Sequence, residues 1–255
     1  MNPKLLTVKV VSNQALSFNT FQMVVHGPEL IDPITPGQFA MVYPKNPSTL
    51  LPRPLSISDA DYESLTFVYQ IVGKGTEELS LLSQGDEIKI LTPIGNGFLL
   101  DGKSRNPHKK VAIVGGGIGI APLVLLAKRL VASGAEVDGY FGFREMPILQ
   151  EEFDPILNRI YLATEIGHTG HRGNVVDVLY SLNPDYDEIL ACGPRPMLDA
   201  LHIFSATKNI PTQVSMEERM ACGLGTCVGC ALKVAGTIIR ICTEGPVFYS
   251  DALTN

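Results

Sequence analysis

The chain has no run of Lys and Arg. Twenty basic against 26 acidic residues leave a formal charge of -6, so it lacks the basic surface that nucleic acid binding requires. It also has no apolar stretch approaching the roughly 20 residues that span a bilayer. The longest candidate, Ile113 to Leu130, is broken by four glycines and Pro122. The opening Met1-Asn-Pro-Lys-Leu-Leu-Thr-Val-Lys-Val contains no apolar signal segment, which argues against disulfides and for a reducing, cytoplasmic setting. Internal repeats and low-complexity tracts are absent. What is left is globular: 255 residues, 45% hydrophobic and 18% charged, hold enough apolar mass for two domains and an appendage.

The expected fold class is mixed β and α/β. Residues 1–102 read as an antiparallel β-barrel. Short runs such as Leu6-Thr-Val-Lys-Val-Val, Phe39-Ala-Met-Val-Tyr and Leu65-Thr-Phe-Val-Tyr-Gln-Ile-Val are cut at short intervals by turn residues. A short helix is expected after Gly75-Thr, where Glu77 and Glu78 precede an apolar face. Asp101 to Lys110 reads as a polar linker. Residues 108–212 read as a parallel-sheet nucleotide-binding domain, with strands at Val111-Ala-Ile-Val, Glu136 to Phe143 and Ile189 to Cys192, and helices at Leu123 to Ala132 and about Arg195 to Thr207. Residues 213–255 read as a small third unit.

Four of the five cysteines fall in that last stretch. Cys222, Cys227, Cys230 and Cys242 are separated by four, two and eleven residues, close to the plant-type spacing in which four thiolates hold a 2Fe-2S cluster. Zinc competes for the same sulfurs, because a CxxC pair plus two thiols would satisfy a tetrahedral site. Three cysteines crowd nine residues with Gly223, Gly225 and Gly229 between them. Glycines there let backbone N–H groups turn toward anionic sulfur, which favours the cluster.

Two further turns suit phosphate. Gly115-Gly-Gly-Ile-Gly-Ile-Ala-Pro lies between a strand and a helix, so bare backbone and a helix N-terminus face one place; a plain βα turn would explain part of the run. Ala191-Cys-Gly-Pro-Arg-Pro-Met ends a later strand, where an open sheet has its crevice, and Cys192 reads as either a buried strand residue or a cofactor neighbour. Tyr69-Gln-Ile-Val-Gly-Lys-Gly-Thr offers a second glycine turn with a hydroxyl, and Arg53-Pro-Leu-Ser an arginine able to neutralise phosphate. Arg144 and Glu145, beyond the second sheet strand, leave NAD and NADP both open. His168 and His171 read as a solvated loop, Glu217, Glu218 and Arg219 as a surface patch, and Met216 and Met220 as core fillers. Phe248 and Tyr249 either cover a cofactor or pack on the sheet.

Arg53-Pro-Leu-Ser, Gly73-Lys-Gly-Thr, Gly117-Ile-Gly-Ile-Ala-Pro and Cys192-Gly-Pro, in that order, resemble the ferredoxin-NADP reductase superfamily. With the four-cysteine loop and the closing Glu244-Gly-Pro-Val-Phe, the chain is similar over essentially its full length to the electron transfer subunits of class 1B dihydroorotate dehydrogenases.

The resemblance implies FAD in the barrel, with Arg53, Pro54, Leu55 and Ser56 along the isoalloxazine and phosphate, Val68, Tyr69 and Gln70 beside it, and Gly75 and Thr76 at the pyrophosphate. It implies NAD against Gly115, Gly117, Gly119 and Pro122 and against Cys192, Gly193 and Pro194. Leu55 stands where many relatives carry tyrosine, and Ile166 where a nicotinamide-side loop often has an acid. The implied partner is an FMN-containing catalytic subunit that oxidises dihydroorotate, in a heterotetramer with two of each subunit. Electrons would cross the 2Fe-2S cluster and FAD to NAD, with cofactors rather than acid–base side chains carrying the chemistry. The rival readings are a stand-alone NAD(P)H-dependent reductase feeding a ferredoxin or oxygenase, and a zinc-stabilised or redox-sensing module without turnover.

Overall fold

A computed structural model describes residues 3–27, 33–100, 109–234 and 236–253. Six strands close an antiparallel barrel: β1 (Lys4–Ala15), β2 (Thr20–His26), β3 (Phe39–Tyr43), β4 (Arg53–Ala60), β5 (Ser64–Gln70) and β6 (Glu87–Ile94). Their order is β1-β2-β5-β4-β3-β6, and β1 pairs with β6, so no edge is left unpaired. Strand β1 shows the expected period of two: Leu6, Val8 and Val10 are buried while Leu5, Thr7 and Lys9 face water. The barrel is filled by Met23, Val25, Val42, Ile57, Leu65, Phe67 and Ile90, all without solvent contact. Helix α1 (Lys74–Ser80) lies between β5 and β6.

The second unit is a seven-stranded sheet. Strand β7 (Lys110–Gly116) leads into a 3-10 turn at Gly117–Ile120 and α2 (Leu123–Ala132). Then follow β8 (Glu136–Phe143), α3 (Gln150–Phe153), β9 (Arg159–Thr164), β10 (His171–Arg172), α4 (Val175–Leu182), β11 (Glu188–Cys192), α5 (Arg195–Lys208) and β12 (Thr212–Ser215). Ala112, Ile113 and Val114 of β7 are fully buried, as a parallel strand covered on both faces requires. The sheet order is β10-β9-β8-β7-β11-β12-β15, parallel except for its last member, β15 (Val247–Tyr249), which runs antiparallel to β12. Chain order reverses between β7 and β11. An open α/β sheet has its ligand crevice at that point, beyond the carboxyl ends of the strands.

By their contacts, the residues of the expected third unit at 213–255 fall with both of the other units. The compact units are Met1–Gly97 with Glu217–Lys233 and Thr237–Pro246, and Phe98–Met216 with Val234–Gly236 and Val247–Asn255. The cysteine loop, β13 (Ala231–Val234), β14 (Thr237–Arg240) and α6 (Ile241–Glu244) follow β12 in the chain. The loop packs on the barrel because Gly223 sits against Met41 and Ile94, and because Asn96 holds the backbone at Gly245. Phe248 and Tyr249 pair with Val214 and Gln213 as sheet residues. Most of the expected linker at 101–110, with the boundaries drawn at 102 and 108, lies outside the described residues. Among the described residues no helix is long and apolar enough to cross a membrane.

Candidate functional site

The four cysteines converge as two pairs. Cys230 Sγ lies 3.3 Å from Cys242 Sγ, and both residues are buried. Cys222 Sγ accepts N–H bonds from Leu224 at 3.3 Å and from Cys227 at 3.5 Å, and also interacts with the Cys227 thiol. Among the described residues no three His, Cys, Asp or Glu side chains converge where one metal ion would be held. Two pairs of thiolates fit a cluster of two irons, each iron taking two cysteines, better than the single tetrahedral point of zinc.

The loop backbone is arranged for anionic sulfur. Gly225 donates to Cys242 Sγ at 3.1 Å and Gly229 to Cys227 Sγ at 3.5 Å. Gly223, with φ of 69°, has no room for a side chain, since an added Cβ would stand 2.6 Å from Met41. Val228 has φ of 59°, a costly conformation for a β-branched residue that persists where its surroundings impose it. Burial opposes ionisation of Cys222, yet the N–H donors of Leu224 and Cys227 outweigh it and lower the thiol to about 6. Burial, then the Cys230 sulfur, pushes Cys242 up to about 12 despite the Gly225 donor. In the same loop as the exposed Cys227, Leu224 and Val228 also face solvent, and Ile238 of β14 is exposed too.

In the barrel, Arg53 begins β4, and a Cβ at Gly75 would run into its guanidinium. Glycine at 75 therefore lets the arginine lie over the first turn of α1, where backbone N–H groups lack helical partners. Arg53 Nη1 also donates to Leu51 O at 2.5 Å. Pro54 and Ser56 are half-buried, and Leu55 is buried. The Thr76 hydroxyl is used within its own turn: it accepts from Val72 N at 2.9 Å and donates to Gly73 O at 3.0 Å. What this residue offers a phosphate is therefore its backbone. On β5, Val68 and half-buried Gln70 share one face, whereas Tyr69 lies with Leu65 and Phe67 on the other. Tyr69 is 2% exposed, stacks on Phe21 and donates to Asn13 Oδ1 at 3.0 Å. Burial pushes its phenol up to about 12, although the bond to Asn13 works the other way. Its side chain is thus turned into the barrel, on the face opposite Val68 and Gln70. Asn13, which sequence reasoning passed over, donates to Leu79 O at 2.9 Å and Leu82 O at 3.0 Å. A strand-interior asparagine, poor for β-structure, was the available signal.

In the sheet unit, β7 and β11 set Gly115 opposite Cys192 at the switch point. A Cβ on Gly119 would stand 2.6 Å from Cys192 O, one on Gly116 would meet Pro194 and Met197, and one on Gly115 would meet Ile120. Gly116 and Gly119 let the two turns press together, and Gly115 lets its own turn close on Ile120 and Leu123. Gly117 differs: its φ is 54° and nothing lies within 4 Å of an added Cβ. Only this glycine of the run faces open space. Pro122 caps α2, Pro194 caps α5, and Gly193 lies against Gly116. Cys192 is 1% exposed, and its carbonyl faces the glycine turn at Gly119. Arg144 and Glu145 are exposed just past β8, and Ile166 N donates to Arg144 O at 2.9 Å. His168 and His171 are exposed; His168 lies in the expected loop, whereas His171 begins β10.

Residues 217–254 match the family model described as the iron-sulfur cluster binding domain of dihydroorotate dehydrogenase B. The chain is 41% identical over 254 residues to the dihydroorotate dehydrogenase B (NAD(+)) electron transfer subunit of Clostridium acetobutylicum, covering 99% of this chain and 98% of that one. The corresponding protein of Caldanaerobacter subterraneus is 38% identical over 251 residues, covering 96% and 97%. Among solved structures, an NADH-dependent reduced ferredoxin-NADP oxidoreductase superposes with a TM-score of 0.87 at 28% identity, covering 97% of this chain and 89% of that one. A Neisseria gonorrhoeae ferredoxin NADP+ reductase shares the fold, with a TM-score of 0.64 at 18% identity over 80% of this chain and 91% of that one. With paired thiolates on a barrel, a switch-point glycine turn and full-length identity to these subunits, the chain belongs to the family of electron transfer subunits of dihydroorotate dehydrogenase B.

Proposed function

We propose that the chain carries electrons between an FMN-bearing catalytic subunit, which oxidises dihydroorotate to orotate, and NAD, in a cytoplasmic heterotetramer with two copies of each subunit. The observation that carries this reading is the pairing of the four cysteines on the barrel, in a loop whose Leu224 and Val228 are exposed. Bound cofactors supply the electron chemistry: a 2Fe-2S cluster exchanges single electrons, FAD one or two, and NAD a hydride.

The residues bind and orient. Cys222 and Cys227 would hold one iron, and Cys230 and Cys242 the other. Arg53 and the first-turn N–H groups of Gly75 and Thr76 receive the FAD pyrophosphate, while Pro54, Leu55 and Ser56 line the isoalloxazine with Val68 and Gln70. Tyr69 acts from inside the barrel, through Asn13, by fixing α1. Gly117 leaves room for the NAD pyrophosphate; Gly115, Gly119, Pro122, Cys192, Gly193 and Pro194 shape the turns around it. Leu224, Val228 and Ile238 exclude water where the catalytic subunit docks over Cys227.

The test is NADH oxidation by the chain with and without its FMN subunit, in the presence of orotate or dihydroorotate. Cys227→Ser should stop electron passage to the partner while NADH still reduces bound FAD. Equal loss of both activities would contradict this division of labour. A stand-alone reductase is the second reading, favoured by the 0.87 TM-score to the NADH-dependent oxidoreductase; it predicts elution without a partner after anaerobic co-expression.

A further inference from the structure

Arg240, the last residue of β14, is gripped from one side and grips the cysteine loop on the other. Its backbone N–H donates to Glu244 Oε2 at 2.6 Å and its Nη2 to Glu244 Oε1 at 3.1 Å. Thr243 Oγ1 donates to the same carboxylate at 2.8 Å, so Glu244 is held in place. Arg240 Nη1 remains, and it donates to Gly225 O at 3.1 Å. That same glycine donates its N–H to Cys242 Sγ at 3.1 Å. The guanidinium thus fixes, through one residue, the direction of a hydrogen bond to a ligand sulfur. Gly225 is a glycine for two reasons: its φ is 75°, and an added Cβ would stand 2.8 Å from Thr243 Cγ2. An ordinary exposed i, i+4 ion pair has no such third bond and contributes little.

We propose that Arg240 is a positioning residue that raises the reduction potential of the cluster, by holding a cationic charge and the Gly225 N–H against the Cys230 and Cys242 side. The inference rests on the four cysteines being iron ligands. Reduction adds one electron and moves no proton or bond, so it makes the site more negative. A fixed cation and an N–H aimed at sulfur stabilise that added charge more than the oxidised form. Glu244 holds the arginine and tempers its charge.

The experiment is an anaerobic, dithionite-driven redox titration of the holoprotein in complex with its FMN subunit, followed by electron paramagnetic resonance of the reduced cluster. Arg240→Gln should lower the reduced-to-oxidised ratio at a fixed potential about tenfold, which for a one-electron couple is 59 mV. Arg240→Lys, which keeps the charge, should recover most of that ratio. Glu244→Gln keeps an oxygen for the guanidinium while removing the opposing charge, so it should raise the ratio. A ratio unchanged in Arg240→Gln, or lowered equally by Gln and Lys, overturns the proposal. If Arg240→Gln retains no cluster, Glu244→Gln decides: a raised ratio supports the proposal, and an unchanged or lowered one overturns it. A wild-type protein without a 2Fe-2S signal would instead overturn the reading of the cysteines.

Discussion

Gly117 and Gly119 stand two residues apart in one turn, and the same substitution should harm each for a different reason. A methyl at Gly119 meets the Cys192 carbonyl at 2.6 Å, and backbone on both turns has to move. Overpacking of this kind costs about 1–3 kcal/mol, so Gly119→Ala should lower the melting temperature seen by scanning calorimetry. Gly117→Ala meets no atom of the chain, although φ of 54° costs an L-residue about 1–2 kcal/mol. Its methyl points into the space proposed for the NAD pyrophosphate. NADH titration should therefore show affinity at least about tenfold weaker for Gly117→Ala, a loss of 1.4 kcal/mol or more, with a smaller thermal shift than Gly119→Ala. Equal NADH affinity for Gly117→Ala and wild type would place the nucleotide elsewhere.

Helix α1 is an element that cannot stand by itself. It has seven residues and no side-chain cap at Gly73, too little for a helix in isolation. Asn13 of β1 instead ties down the C-terminal end by donating to the carbonyls of Leu79 and Leu82, and accepts from Tyr69. Asn13→Ala removes three hydrogen bonds worth about 1 kcal/mol each. Urea unfolding should report a loss of about 2–3 kcal/mol, and FAD should dissociate faster if the first turn of α1 is its pyrophosphate cradle, as proposed above.

Other elements were plain from local pattern. Leu123–Ala132 and Glu136–Phe143 are expected and found with the same bounds, because a buried strand, a glycine turn and an apolar helix follow one another without interruption. Strand β9 and helix α4 were not read. Residues 159–164 are mostly half-buried, with no clean alternation, and Val175, Val176 and Val178 give α4 a strand-like composition. Its helical form comes from Asn174, which accepts from Asp177 N, and from Tyr180 packing edge-on against Phe204 of α5. The site shows the same division. Cysteine spacing and glycine turns are local and legible, whereas the inward face of Tyr69 and the burial of Cys192 depend on the register of strands far apart in sequence.

At the scale of the whole molecule, the chain leaves the barrel unit at Gly97, builds the parallel sheet, and returns at Glu217 to lay the cysteine loop on the barrel. It leaves again after Pro246 to supply β15. The cluster segment is therefore held by barrel residues distant in sequence, and its stability should answer to them. Asn96, just past β6, is the tie. Its backbone N–H donates to Gly245 O at 2.6 Å, and its Nδ2 reaches Glu244 O at 3.2 Å and Thr243 O at 3.5 Å. These carbonyls end α6, the short helix that carries Cys242. Asn96→Ala keeps the backbone bond and removes the two from the side chain, at a cost of about 1–2 kcal/mol. Loss of the visible cluster absorbance under a chelator should then be roughly five- to thirtyfold faster, while FAD, proposed to lie at β4 and α1, is retained as in wild type. An unchanged cluster lifetime would mean that residues 213–255 sustain the cluster by their own contacts, as an independent subdomain would.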